Sequence, residues 1–163
     1  MAEVATAQAL LVMALQDLRD GEVALVQRLP EVRDHAADKG FQRFIAEDRE
    51  RSALQRDELE RIARSLGAEP QEGPNIWQRA ILDDAANDAR TIKAGPLRDT
   101  ALIGALRKAK QAERVSYETA VALARALDLP DAAATLTRIR DEEQAADEAL
   151  ADHLARIAGR IAR

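Results

Sequence analysis

Residues 96–127 read PLRDTALIGALRKAKQAERVSYETAVALARAL. Ile103, Leu106, Tyr117, Ala120, Ala124 and Leu127 recur at steps of three and four, the spacing of one helix face, and Pro96 opens the run where a helix loses nothing by lacking an N–H. The same 3,4 rhythm passes through Lys110 and Glu113, so two charged side chains take positions where the pattern demands apolar ones. A helix this long, apolar along one stripe and charged at the middle of that stripe, is a bundle helix with a polar centre.

The rest of the chain repeats that design. A stripe of Val4, Ala7, Leu11, Ala14, Leu18, Leu25, Leu29 and Val32 predicts a first helix over about residues 3–36, with Pro30 as a kink. After a turn at Asp38-Lys39-Gly40, a second helix carries Phe41, Phe44, Ile45, Leu59, Ile62 and Leu66, stopped by Gly67 and Pro70. Residues 68–73 are expected as loop. Gly73-Pro74 opens a shorter helix through Ile76, Trp77, Ala80 and Ile81 to about Lys93, Pro74 serving as its first helical residue. Asp128-Leu129-Pro130-Asp131 ends the penultimate helix, and Leu136, Ile139, Leu150, Leu154, Ile157 and Ile161 mark the last.

Helices of about 30 residues are about 45 Å long, and stripes this narrow are buried only by packing side by side. The expected architecture is an all-α four-helix bundle forming a single domain over residues 1–163. One short additional helix lies in a long crossover between the second and third long helices. Composition agrees. The 163 residues are 47% hydrophobic and 33% charged but only 2% aromatic, and about one in five is Ala, which favours helices over the cross-strand aromatic and β-branched pairs of sheets.

Charge and cysteine usage exclude several functions. With 24 Lys and Arg against 29 Asp and Glu the net charge is -5, the wrong sign for tracking phosphate backbones, so no nucleic-acid partner is expected. The absence of Cys excludes disulfides, zinc fingers, iron–sulfur clusters and thiol catalysis. Met1-Ala2-Glu3-Val4 lacks a basic leader, and the apolar run Ala9–Leu15 is too short to span a bilayer; a cytoplasmic protein without membrane attachment is expected.

The informative feature is where the stripes fail. The first helix passes through Glu22 between Leu18 and Leu25. The second passes through Asp48, Arg51 or Ser52, and Gln55. The penultimate passes through Lys110 and Glu113, and the last through Glu143 and Asp147. Charges inside an apolar bundle are costly unless paired or ligated, so these interruptions are expected at one level, satisfying one another. Two readings remain open. Glu22, Asp48, Glu113, Glu143 and Asp147 supply the oxygen ligands that hold iron, manganese or magnesium in bundle proteins, although the usual Glu-x-x-His is missing because neither His35 nor His153 follows a Glu by three. Alternatively Arg51 and Lys110 neutralise the acids in a buried ion-pair layer.

Of the remaining candidates, His35 and His153 are expected to be solvated or capping, and Tyr117 to be a core aromatic whose hydroxyl finds a polar partner. Trp77 is expected to anchor the short helix. Arg156, Arg160 and Arg163 suit the negative end of a helix dipole.

Five segments carry a family resemblance: GEVALVQRLP at 21–30, SLGAEP at 65–70, LRDTALI at 97–103, ERVSYETA at 113–120 and DEEQAAD at 141–147. They resemble the ferritin-like family of the bacterial stress-associated proteins YciE and YciF, over about residues 14–155 and with all five helices in order. The resemblance implies a ferritin-like bundle, a di-metal centre of iron or manganese, and a homodimer. It also implies which acids belong to that centre: Glu22, Glu113, Glu143 and Asp147 match the family's acidic positions. The chain departs elsewhere, with Asp48 and Arg51 where the family tends to show His and Glu in the second helix, and Lys110-Gln111-Ala112-Glu113 where it shows Glu-His-Tyr-Glu. Ala14 and Arg19 replace an acid and an aromatic. The functional expectation is a stress-associated structural or interaction protein with a remodelled centre; the alternative is a di-iron or di-manganese oxidase or peroxide-consuming protein.

Overall fold

The computed structural model describes residues 4–71, 73 and 75–161. It contains α1 (Ala7–His35), α2 (Lys39–Ser65), α3 (Ile76–Thr91), α4 (Pro96–Ala126) and α5 (Pro130–Ala158), and no strand among the described residues. Helices α1 and α2 form one antiparallel pair and α4 and α5 the other. The crossover from α2 to α4 carries α3, which packs on α1 and α4.

The helix ends follow local chemistry. The side chains of Thr6, Asp38 and Asn75 cap α1, α2 and α3 by accepting from the N–H of Ala9, Phe41 and Gln78, while Pro96 and Pro130 open α4 and α5. After α2, Gly67 adopts φ +78°, a conformation that a side chain would strain. Four boundaries differ from expectation. Helix α1 begins at Ala7, leaving Val4 exposed ahead of it, and α5 ends at Ala158, leaving Ile161 exposed beyond it. Lys39 and Gly40 are already helical because Asp38 is the cap, so the first turn is residues 36–38. The short helix begins at Ile76 behind the cap Asn75, and the expected start at Pro74 lies outside the described residues.

Pro30 sits within α1, and the helix runs through it. A proline there cannot donate to the carbonyl four residues back. That carbonyl, of Val26, instead accepts from Arg49 Nε of α2 at 3.0 Å. The turn between α1 and α2 is held from α4: buried Asp99 accepts from the N–H of Ala37 and of Asp38, both at 2.8 Å.

The entry into α3 is fixed by α1. Asp20 accepts from the backbone N–H of Asn75 at 2.7 Å and pairs with Arg79, and Asn75 Nδ2 donates to the Asp17 carbonyl. Trp77 Nε1 donates to the Asp17 carboxylate at 3.2 Å, so the indole anchors the short helix through a hydrogen bond as well as by packing. Gly21 is required at this crossing, since a Cβ there would stand 2.9 Å from Asn75 Nδ2.

The apolar core is divided in two. One cluster, with Leu25, Leu29, Phe41, Ile45, Leu82, Leu102, Leu106 and Leu150, lies toward the α1–α2 turn. The other, with Leu11, Leu15, Leu18, Leu59, Tyr117, Leu136 and Ile139, lies toward the opposite end. The interruptions read from the sequence fall between them. No helix among the described residues is long and apolar enough to cross a membrane.

Candidate functional site

Each long helix contributes to the belt between the clusters, and the side chains are interior because the helical period places them in line with the leucines above and below. Glu22 of α1, Asp48, Ser52 and Gln55 of α2, Lys110 and Glu113 of α4 and Glu143 of α5 are all buried. Glu22, Glu113 and Glu143 each offer a carboxylate oxygen, and these oxygens lie within 4.8 Å of one another.

Lys110 occupies the middle of the acids. Its side chain is 0% exposed, and Nζ stands 2.8 Å from Glu143 Oε2, 3.0 Å from Asp48 Oδ2 and 3.4 Å from Glu113 Oε2. Arg51, 35% exposed at the rim of α2, reaches Asp48 Oδ1 at 3.2 Å. Tyr117 OH donates to Glu22 Oε1 at 2.8 Å. One oxygen of each converging glutamate therefore has a cation or phenol beside it. Glu22 Oε2, Glu113 Oε1 and Glu143 Oε1 are buried without a completed hydrogen bond, with the Ser52 hydroxyl beside Glu22 and the Gln55 amide beside Glu143.

Formal charge makes the belt unbalanced. Four carboxylates (Glu22, Asp48, Glu113, Glu143) face Lys110 and Arg51, leaving two negative charges in a low-dielectric interior. The proton affinities respond accordingly. Burial and the charge of Glu143 push the Glu22 carboxyl up from 4.5 to about 8. Burial and the charge of Glu22 raise Glu113 well above its usual range. Asp48 is raised by burial, against the pull of Lys110. Glu143 moves the other way: burial opposes its ionisation, but Lys110 holds it below 4.5. Burial lowers the proton affinity of Lys110, yet Asp48, Glu143, Glu113 and Glu22 outweigh it and hold the ammonium charged. Burial raises Tyr117 too, with the Glu22 charge adding to it, so the hydroxyl is a donor.

Asp147 does not join the converging glutamates. Its oxygens accept from Arg107 Nε at 2.7 Å, Arg107 Nη2 at 3.2 Å and Gln111 Nε2 at 2.7 Å, all from α4, and the Arg107 hydrogen bond holds its pKa below 3.8. Neither histidine is in the belt. His35 ends α1, while His153 packs its ring against Phe41 and Phe44, where burial and then Arg156 lower its pKa. Arg156 and Arg160 pair with Asp38 across the bundle end, a partner that a helix dipole did not anticipate; Arg163 lies outside the described residues. Sequence reasoning missed Asp20 and Asp99, whose partners are backbone N–H groups of distant turns.

The sequence profile of the domain-of-unknown-function family DUF892 matches residues 6–162. The chain belongs to that family. This DUF892 chain shares its fold with the E. coli stress protein YciF at a TM-score of 0.90 and 21% identity, over 94% of this chain and 98% of that one. YcfI of Rhodopseudomonas palustris, proposed to be a structural protein, gives a TM-score of 0.86 and 23% identity over 91% and 94%. No protein of curated function matches. At these identities the likeness is one of fold, and the expected ferritin-like bundle is the architecture found.

For a pair of metal ions the donor set of this DUF892 chain does not fit. An ammonium stands among Asp48, Glu113 and Glu143, Asp48 is engaged by Arg51 as well, Asp147 is turned to Arg107, and no imidazole reaches the belt.

Proposed function

We propose that this DUF892 protein is a cytoplasmic, YciF-type stress-associated protein acting through structure and interaction, its centre rebuilt so that a lysine ammonium takes the place of one ion of a pair. The observation that carries this is Lys110 Nζ at 2.8, 3.0 and 3.4 Å from three buried acids. A cation fixed by the chain supplies charge balance without redox capacity, and the belt then fixes the register of four helices around one set of ion pairs. The di-iron or di-manganese oxidase reading requires two ions bridged by carboxylates, and Lys110 argues against it.

Metal content is the test. Protein purified without chelator is expected to hold at most one equivalent of iron or manganese by elemental analysis; two equivalents per chain would overturn the reading.

We propose also that the protein is a homodimer. Leu10 and Met13, 39% and 49% exposed, with Ala14, Gln16, Ser116 and Thr119, line an apolar groove of α1 and α4 just beyond the start of α3. The groove carries one charge, Asp17, already bonded to Trp77, so two copies of net charge -5 can approach there. Light scattering is expected to give a dimer that Met13→Glu converts to a monomer; a monomeric parent protein would remove the proposal.

A further inference from the structure

We infer that the cleft between the start of α2 and the end of α5 binds the phosphate group of a soluble molecule. Lys39, Gly40 and Arg43 form one wall and His153, Arg156 and Arg160 the other, around the Asp38 cap, enclosing about 580 Å³. The site shares no residue with the belt. Four cations there face one carboxylate, an excess of three positive charges on a chain whose net charge is -5. Lys39 and Arg43 stand one turn apart, a spacing at which like charges weaken a helix, and both lie at the positive end of the α2 dipole. Elsewhere the chain sets an acid one turn from an arginine, as in Arg114 with Glu118 and Arg138 with Glu142. Here it does not. Among the described residues Lys39 bonds the neutral Gln42 side chain at 3.1 Å, and Arg43 makes no ion pair.

The opposite wall shows how the cleft handles an oxyanion. Arg156 holds the Asp38 carboxylate through Nη1 at 2.7 Å and Nη2 at 2.9 Å, Arg160 Nη1 adds a bond at 3.1 Å, and the Phe41 N–H adds one at 2.9 Å. Asp38 is thereby fully engaged, and Lys39 and Arg43 keep their charge for another anion. Gly40 forms the floor: a Cβ there would stand 3.1 Å from Asp38 Oδ1 and 3.3 Å from Arg156 Nη2. His153 Nδ1 lies 2.8 Å from Arg156 Nη2 and accepts from it, which puts the imidazole proton on Nε2 as a further donor. Ammonium and guanidinium groups with an N–H donor beside them match the several charged oxygens of a phosphate. A nucleic acid fits poorly, because the chain is acidic overall and Phe41 and Phe44 turn their rings to His153, leaving a base nothing to stack on.

The test is binding of inorganic pyrophosphate to the full chain in low-salt buffer, followed by calorimetry and by the proton resonances of the His153 ring. One pyrophosphate per chain is expected, bound below about 1 mM and more weakly as salt is raised. The His153 pKa, held down by burial and Arg156 against the pull of Asp38 and Asp152, is expected to rise on binding. Lys39→Gln together with Arg43→Gln, both exposed and outside the ion pairs of the fold, is expected to weaken binding by at least about tenfold. Arg125→Gln, at the far end of α4, is expected to change it less than about twofold. Pyrophosphate that fails to bind, or that binds the double variant as well as the parent, would overturn the site. Vesicles containing phosphatidic acid present the same group on a lipid, and capture by them without pyrophosphate binding would overturn the soluble ligand.

Discussion

Lys110→Met lowers the unfolding free energy by about 3–5 kcal/mol near pH 8, the cost of removing one partner from a buried ion pair and leaving the others uncompensated. The aliphatic stem is replaced almost atom for atom, so little of the loss comes from packing. It comes from Glu143 and Asp48, whose oxygens stand 2.8 and 3.0 Å from Nζ and have no other cation of comparable burial. In the parent protein Lys110 holds the Glu143 pKa below 4.5, so that carboxylate contributes stability above pH 4.5 and loses it as the pH falls. In the variant the Lys110 charge no longer opposes burial at Glu143, only the Glu113 and Gln55 hydrogen bonds do, and its pKa rises; the deficit then widens with increasing pH and narrows toward about pH 5, where the acids take up protons instead. Urea unfolding at both pH values, with chelator present, measures this. Adding Glu143→Gln to Lys110→Met is expected to restore more than half the loss, because it removes the orphaned charge. Equal stability of Lys110→Met and the parent at both pH values would mean that the ammonium balances nothing.

Whether a residue's role is legible in the sequence depends on what its partner is. The helices were legible because Pro96, Pro130 and Gly67 punctuate them and leucines recur at 3,4 spacing. The belt was legible for the same reason: Glu22 between Leu18 and Leu25, or Lys110 and Glu113 between Leu106 and Tyr117, occupy places in an apolar rhythm, and the structure puts those side chains inside. Which way a carboxylate turns within the belt was not legible. Glu143 and Asp147 are one turn apart, but four residues overshoot a helical turn by about 40°, enough to carry Asp147 from the centre toward the α4 flank. There Arg107 and Gln111 bind it, and neither lies on the stripe that pointed to the site. Asp20 and Asp99 were invisible for a different reason. Their partners are N–H groups 55 to 62 residues away, in turns whose position only the assembled bundle defines, and no periodicity encodes such a contact.

Glu22→Gln, measured with chelator present, stabilises the protein near pH 7 by about 3 kcal/mol and leaves it unchanged near pH 4.5. The sign follows from the direction of the shift. Burial and Glu143 raise the folded-state pKa of Glu22 from 4.5 to about 8, so the parent is most stable below about pH 4.5 and loses stability as the pH rises toward about 8. A pKa difference of one corresponds to about 1.4 kcal/mol, which gives the quoted size at pH 7. Glutamine is neutral throughout and keeps an oxygen for the Tyr117 hydroxyl, so the variant lacks the part of the parent's pH slope that Glu22 contributes. A variant no more stable than the parent near pH 7, with a slope matching the parent's from pH 4.5 to 8, would show that Glu22 ionises as freely as a carboxylate in water and that the belt does not confine its charge.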